Sequence, residues 1–97
     1  MKPEELIKEL EGELSRLGIA IRRERGNFRG GWCVINDERF LMLNRRQSAE
    51  VQFSILAEAV RSLPLDSIYI KPNLRKALED SWSHLPLTSE ADEPQNA

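Results

Sequence analysis

Over residues 4–17, Leu6, Ile7, Leu10, Leu14 and Leu17 recur at spacings of three and four, while Glu5, Glu9, Glu11 and Glu13 fall on the other sides. This pattern predicts an amphipathic helix. Pro3 suits its first turn, Glu4 and Glu5 complement the positive end of its dipole, and Gly18 supplies the left-handed residue on which helices commonly end. Gly12 inside the helix costs about 1 kcal/mol relative to alanine. Either close packing at that point or a marginally stable helix accounts for it, and the pattern does not choose between them.

After Gly18 the period changes to two. Ile19 and Ile21 alternate with Ala20 and Arg22 in a first strand. Gly26-Asn27 can take the positive φ angles of a two-residue hairpin, so the chain is expected to reverse there into a second strand, residues 28–35. Gly30-Gly31 inside that strand marks a bulge or a close backbone approach. Asn36-Asp37-Glu38 turns the chain again, into a third strand from Arg39 to Leu43. Phe40 and Met42 alternate with Leu41 and Leu43, so this strand is apolar on both faces, as a strand covered on both sides is. Ser48 then serves as an N-cap for a second helix carrying Val51, Ile55, Leu56, Ala59, Val60 and Leu63, which Pro64 stops. Ser67 to Ile70 is extended, and Pro72 opens a third helix with Leu74, Ala77, Leu78 and Trp82 on its apolar side. The expected fold class is α+β: an N-terminal helix, a three-stranded antiparallel meander, then two helices joined by a short extended segment.

With 97 residues, 40% hydrophobic and 31% charged, the chain is read as one globular domain over residues 1–85. Residues 86–97 hold two prolines and three acidic groups, with no bulky side chain after Leu87, and are read as a disordered acidic tail. The single cysteine, Cys33, has no intrachain disulfide partner. The acidic first residues lack the apolar run of a secretory signal, and no apolar stretch reaches the roughly 18 residues of a membrane span. The expectation is cytoplasmic, with no membrane association. One histidine and one cysteine make no structural zinc site, so neither metal nor cofactor is expected.

Charge is unevenly spread: residues 1–19 sum to −2, residues 20–46 to +4 and residues 47–97 to −4. The strands are thus the basic part of a protein with a pI near 5.5. Arg22, Arg23, Arg25 and Arg29 flank the Gly26-Asn27 turn, and Arg45 and Arg46 follow strand three, where the meander brings its end near the start of strand one. With Trp32 interleaved, Arg22, Arg25, Arg29, Arg45 and Arg46 form a candidate binding surface for nucleic acid or another polyanion, guanidinium on phosphate and ring on base. The alternative is that the arginines solvate the outer face or pair with Glu24, Glu38 and the acidic helices. Phe28-Arg29-Gly30-Gly31-Trp32-Cys33 lacks the third glycine, the following lysine and the strand-to-helix setting of a nucleotide loop. Cys33 reads as an inert thiol in a strand. His84 stands beyond the third helix, where a catalytic dyad would need a fixed position. Glu58, mid-helix between Ala57 and Ala59, reads as an ion pair with Arg61 or as solvated. No catalytic residue is assigned.

Two resemblances follow. The string Arg22-x-Glu24-x-Gly26-x-Phe28-x-Gly30-Gly31-x-Cys33, with the Leu43-Asn44 turn and the helix opening Pro72-x-x-Arg75, is similar to small bacterial proteins of unknown function. Gly30 to Leu63 also resembles, in its order of elements, the core of the zincin metallopeptidases. In that family the helix carries His-Glu-x-x-His. Alignment here keeps the glutamate as Glu58 and puts Ala57 and Arg61 at the metal ligands, which implies an inactive zincin-like domain.

The leading expectation is a non-enzymatic bacterial cytoplasmic module that works through protein contacts as a homodimer. The short connections from Gly18 to strand one and from Arg45 to Ser48 are expected to place the first two helices on one side of the sheet, so the apolar residues of the other face would seek a partner, either on that face or on the edge of strand three. Polyanion binding is the alternative, and the inactive zincin-like domain a third. For the tail, deletion of residues 88–97 is expected to leave the thermal midpoint unchanged. Protected amide protons beyond Leu87 in hydrogen exchange would contradict it.

Overall fold

A computed structural model describes residues 1–84; the tail expected at residues 86–97 lies outside the described residues. The elements are α1 (Pro3–Arg16), β1 (Ala20–Glu24), β2 (Gly31–Ile35), β3 (Glu38–Asn44), α2 (Ala49–Val60), a 3-10 turn (Leu65–Ser67) and α3 (Pro72–Ser83). The α+β class holds, in the expected order: helix, three strands, two helices.

The local signals act where the pattern put them. Gly18 adopts φ 78°. It ends α1 by donating its N–H to the Ser15 carbonyl, while Ile19 donates to that of Leu14 across 3.0 Å, the paired bonds of a helix closed by a left-handed residue. Ser48 caps α2 by accepting the Val51 N–H at 3.2 Å. Gly12 is exposed with open space where a Cβ would stand, so its cost is one of helix propensity alone. Ile68 is extended after the 3-10 turn, and Ser67 to Ile70 joins no sheet.

Strand order is the correction. The sheet runs β1-β3-β2, with β1 parallel and β2 antiparallel to β3, so it is mixed rather than an antiparallel meander. Ile21 lies beside Leu41, which lies beside Trp32. β3 is the strand apolar on both faces, and the centre of the sheet is the one position where a strand also has both edges paired. It therefore has no free edge, which removes the edge of strand three as a dimer surface. The two-residue hairpin forms at Asn36-Asp37, with φ 52° and 69°, the left-handed pair that asparagine and aspartate tolerate best. Gly26-Asn27 belongs instead to a crossing, residues 25–30, which carries the chain from the end of β1 past the end of β3 to the start of β2.

Asn44 holds this crossing. It is 4% exposed; its Nδ2 donates to the carbonyls of Gly26 and Phe28 at 2.9 and 2.7 Å, and its Oδ1 accepts the Arg46 N–H at 3.0 Å. A buried amide so placed replaces the bonds that the irregular backbone cannot make for itself. Gly30, at φ 101°, passes so close to β3 that a Cβ would stand 2.8 Å from the Met42 carbonyl oxygen.

Helices cover one sheet face. α1 packs on β1, α2 on β2 and β3, and α3 flanks α1 and α2. The core between them contains Leu10, Leu14, Leu41, Leu43, Leu56, Val60, Leu74 and Leu78. The opposite face shows Arg22, Cys33, Phe40 and Met42, the alternate positions along each strand.

Two glycine substitutions should move stability in opposite directions. Gly12→Ala is expected to stabilise by about 0.5–1 kcal/mol, and Gly30→Ala to destabilise by about 1–3 kcal/mol through strain and the carbonyl clash. Urea unfolding of the three proteins measures both.

Candidate functional site

Parallel pairing decides which arginines meet. Arg45 donates its backbone N–H to the Glu24 carbonyl at 2.8 Å, so Arg25 and Arg45, each next in sequence to a paired strand end, emerge side by side. The backbone of Arg46 is tied to Asn44 at the same place. Arg25, Arg45 and Arg46 are exposed, and none takes part in an ion pair among the described residues. The meander expectation joined the start of strand one to the end of strand three; it is the two ends that meet.

The other candidates lie elsewhere. Arg22 sits on the open face with its guanidinium 5.2 Å from the centroid of the Phe40 ring and 3.8 Å from Glu24. Phe40, only 6% exposed, thus has a cation over its ring. Arg29 and Trp32 belong to the helix side. The Arg29 guanidinium reaches Glu58 on α2 at 2.6 Å, and the Trp32 indole N–H donates to the Ala59 carbonyl at 3.0 Å. The six residues therefore form no single platform. Arg25, Arg45 and Arg46 make a basic end of the sheet, Arg22 leads from it onto the open face, and Arg29 and Trp32 fasten β2 to α2.

Three contacts join side chains that local spacing did not pair. Arg39 stacks over Trp32 at 4.0 Å, which occupies a ring face that a base would need. Glu58 pairs with Arg29, not with Arg61 as helical spacing indicated; the partner is 29 positions away in sequence. Arg23, which was not among the candidates, makes a two-pronged pair with Glu11 of α1 at 2.9 and 3.3 Å. This geometry holds β1 to α1 with both guanidinium nitrogens engaged.

Apolar surface gathers around β2. Val34 is 62% and Ile35 45% exposed. Cys33, a free thiol, is half-buried beside Phe40 in the register. An open groove of about 380 Å³ runs between Phe28, Gly31, Cys33 and Met42 on the far side of the sheet. Leu41, by contrast, is fully buried on the helix side, so of these two neighbours it is Met42 that faces outward. His84 closes α3, its Nδ1–H donating to the Asp80 carbonyl at 2.7 Å.

No family model, curated protein or solved structure matches the chain. Function is therefore argued from its own surfaces.

Exposed charges contribute below about 1 kcal/mol each, so the basic end should be dispensable for folding. Arg25→Ser combined with Arg45→Ser is expected to leave the thermal midpoint nearly unchanged in a calorimetric scan. A large loss would place these side chains in a network that the fold requires.

Proposed function

We propose that this chain is a protein-interaction domain of the bacterial cytoplasm that acts by contact rather than by catalysis and works as a homodimer. The observation that carries this reading is the one-sided sheet: three helices occupy one face, while apolar side chains at and beside β2 remain open to solvent on a chain of small size. Soluble proteins seldom leave contiguous apolar surface uncovered, and twofold association is the commonest way to cover it. A free thiol in the middle of β2 accords with a reducing compartment. No helix among the described residues is long and apolar enough to cross a membrane.

The clustering of Arg25, Arg45 and Arg46 supports a second reading, capture of a polyanion such as single-stranded RNA at the end of the sheet. The two readings separate experimentally. Sedimentation equilibrium is expected to give a dimer mass that falls towards the monomer on dilution, with no affinity for a labelled single-stranded RNA. A monomer mass at concentrations well above the micromolar range would sink the first reading. RNA binding that weakens steeply with salt, and is lost in the Arg25→Ser, Arg45→Ser protein, would establish the second.

A further inference from the structure

The two edges of the sheet are built differently. β1 presents Arg22, Arg23 and Glu24, the charged residues by which natural edge strands resist pairing. β2 reads Gly31-Trp32-Cys33-Val34-Ile35, with no charge, no proline and four residues that favour strands or tolerate burial there. It is the least guarded edge of the fold, and its last two side chains are the ones most open to solvent.

We infer that β2 pairs along this free edge with β2 of a second copy, antiparallel and centred on Cys33, joining two three-stranded sheets into one. The inference rests on the self-association proposed above and names its surface. The strand is its own complement. Only with Cys33 opposite the partner's Cys33 do all residues from Gly31 to Ile35 overlap. Gly31 then faces the partner's Ile35, and Trp32 faces the partner's Val34, a small residue against a large one and an aromatic against a β-branched one. A slip of two residues in either direction leaves two of the five strand residues with no opposite number in the partner strand. A slip of one sets helix-side residues against far-side residues.

There is room for the partner strand. Beyond the edge on the helix side lies a groove of about 300 Å³ lined by Gly30, Gly31, Trp32, Ala59 and Ser62, beside which the partner's Val34 would lie. Antiparallel edge pairing about an axis perpendicular to the sheet keeps both sets of helices on one side, so the two open faces become a single continuous one.

The full chain supplies the test. Opposed residues in antiparallel strands stand about 4.5–5.5 Å apart at Cα, inside the disulfide range. Copper–phenanthroline, which takes up the two electrons as two thiols become a disulfide and release two protons, is therefore expected to convert the dimer rapidly into a covalent one through Cys33. Cys33→Ser should keep the dimer and lose the cross-link. Cys33→Lys sets like charges face to face and should raise the dissociation constant by about tenfold or more, with circular dichroism confirming that the chain is folded. Val34→Lys, at a β2 side chain that is already exposed, should weaken the dimer in the same direction by setting a charge on the pairing edge. A dimer that neither cross-links at Cys33 nor responds to Cys33→Lys and Val34→Lys, but dissociates with Met42→Asp, overturns edge pairing and leaves self-association standing. A monomeric wild-type protein overturns both.

Discussion

One strand with two apolar faces organises this molecule. Phe40 and Met42 on one side of β3, and Leu41 and Leu43 on the other, lose most when exposed to water, and the centre of a sheet shields a strand from both edges at once. With β3 in the middle, β1 and β2 become the flanks. A two-residue turn already commits β2 to one side, so β1 takes the other, parallel. The chain between them must then pass the end of β3, and residues 25–30 do so with their backbone bonded to Asn44. Gly30 is the only residue type that fits the approach to the Met42 carbonyl.

α2 is the counterpart of β3 among the helices. It lies against both other helices and against two strands, and Phe53, Ile55, Leu56, Ala57, Ala59 and Val60 are all buried. Two indoles grip its backbone. Trp32 donates to the Ala59 carbonyl at 3.0 Å and Trp82 to the Ala57 carbonyl at 2.7 Å. Alanine at both positions lets a large ring come down to the main chain, and each ring satisfies its own N–H as it is buried. Thus β2 and α3, far apart in sequence, are fixed to the same half-turn of one helix.

Charge follows this scaffold. On the helix side Arg23 pairs with Glu11 and Arg29 with Glu58, where a carboxylate stands on the neighbouring element. Arg25, Arg45 and Arg46, in no ion pair among the described residues, collect where the parallel strands end, because parallel strands stack their ends rather than alternate them. The fold thus separates a basic end, a guarded edge at β1 and an apolar edge at β2.

The helices were legible because their signals are local. Period, cap and stop lie within a few residues of one another: Ser48 and Val51 for α2, Gly18 for α1, Pro72 for α3. The strands were legible as strands for the same reason, and β3 as the one apolar on both faces. Their order was not. Gly26-Asn27 and Asn36-Asp37 both carry hairpin chemistry, and nothing within either turn reveals that only the second joins neighbours. That choice is made by burial, summed over β1, β2 and β3 together, which favours β3 in the centre over any preference of one turn. The same holds for the arginines. Their number and their neighbours in sequence were plain, but which of them share a surface depends on strand direction, and the partners of Arg29, Trp32 and Arg39 come from elements that only the tertiary packing brings alongside.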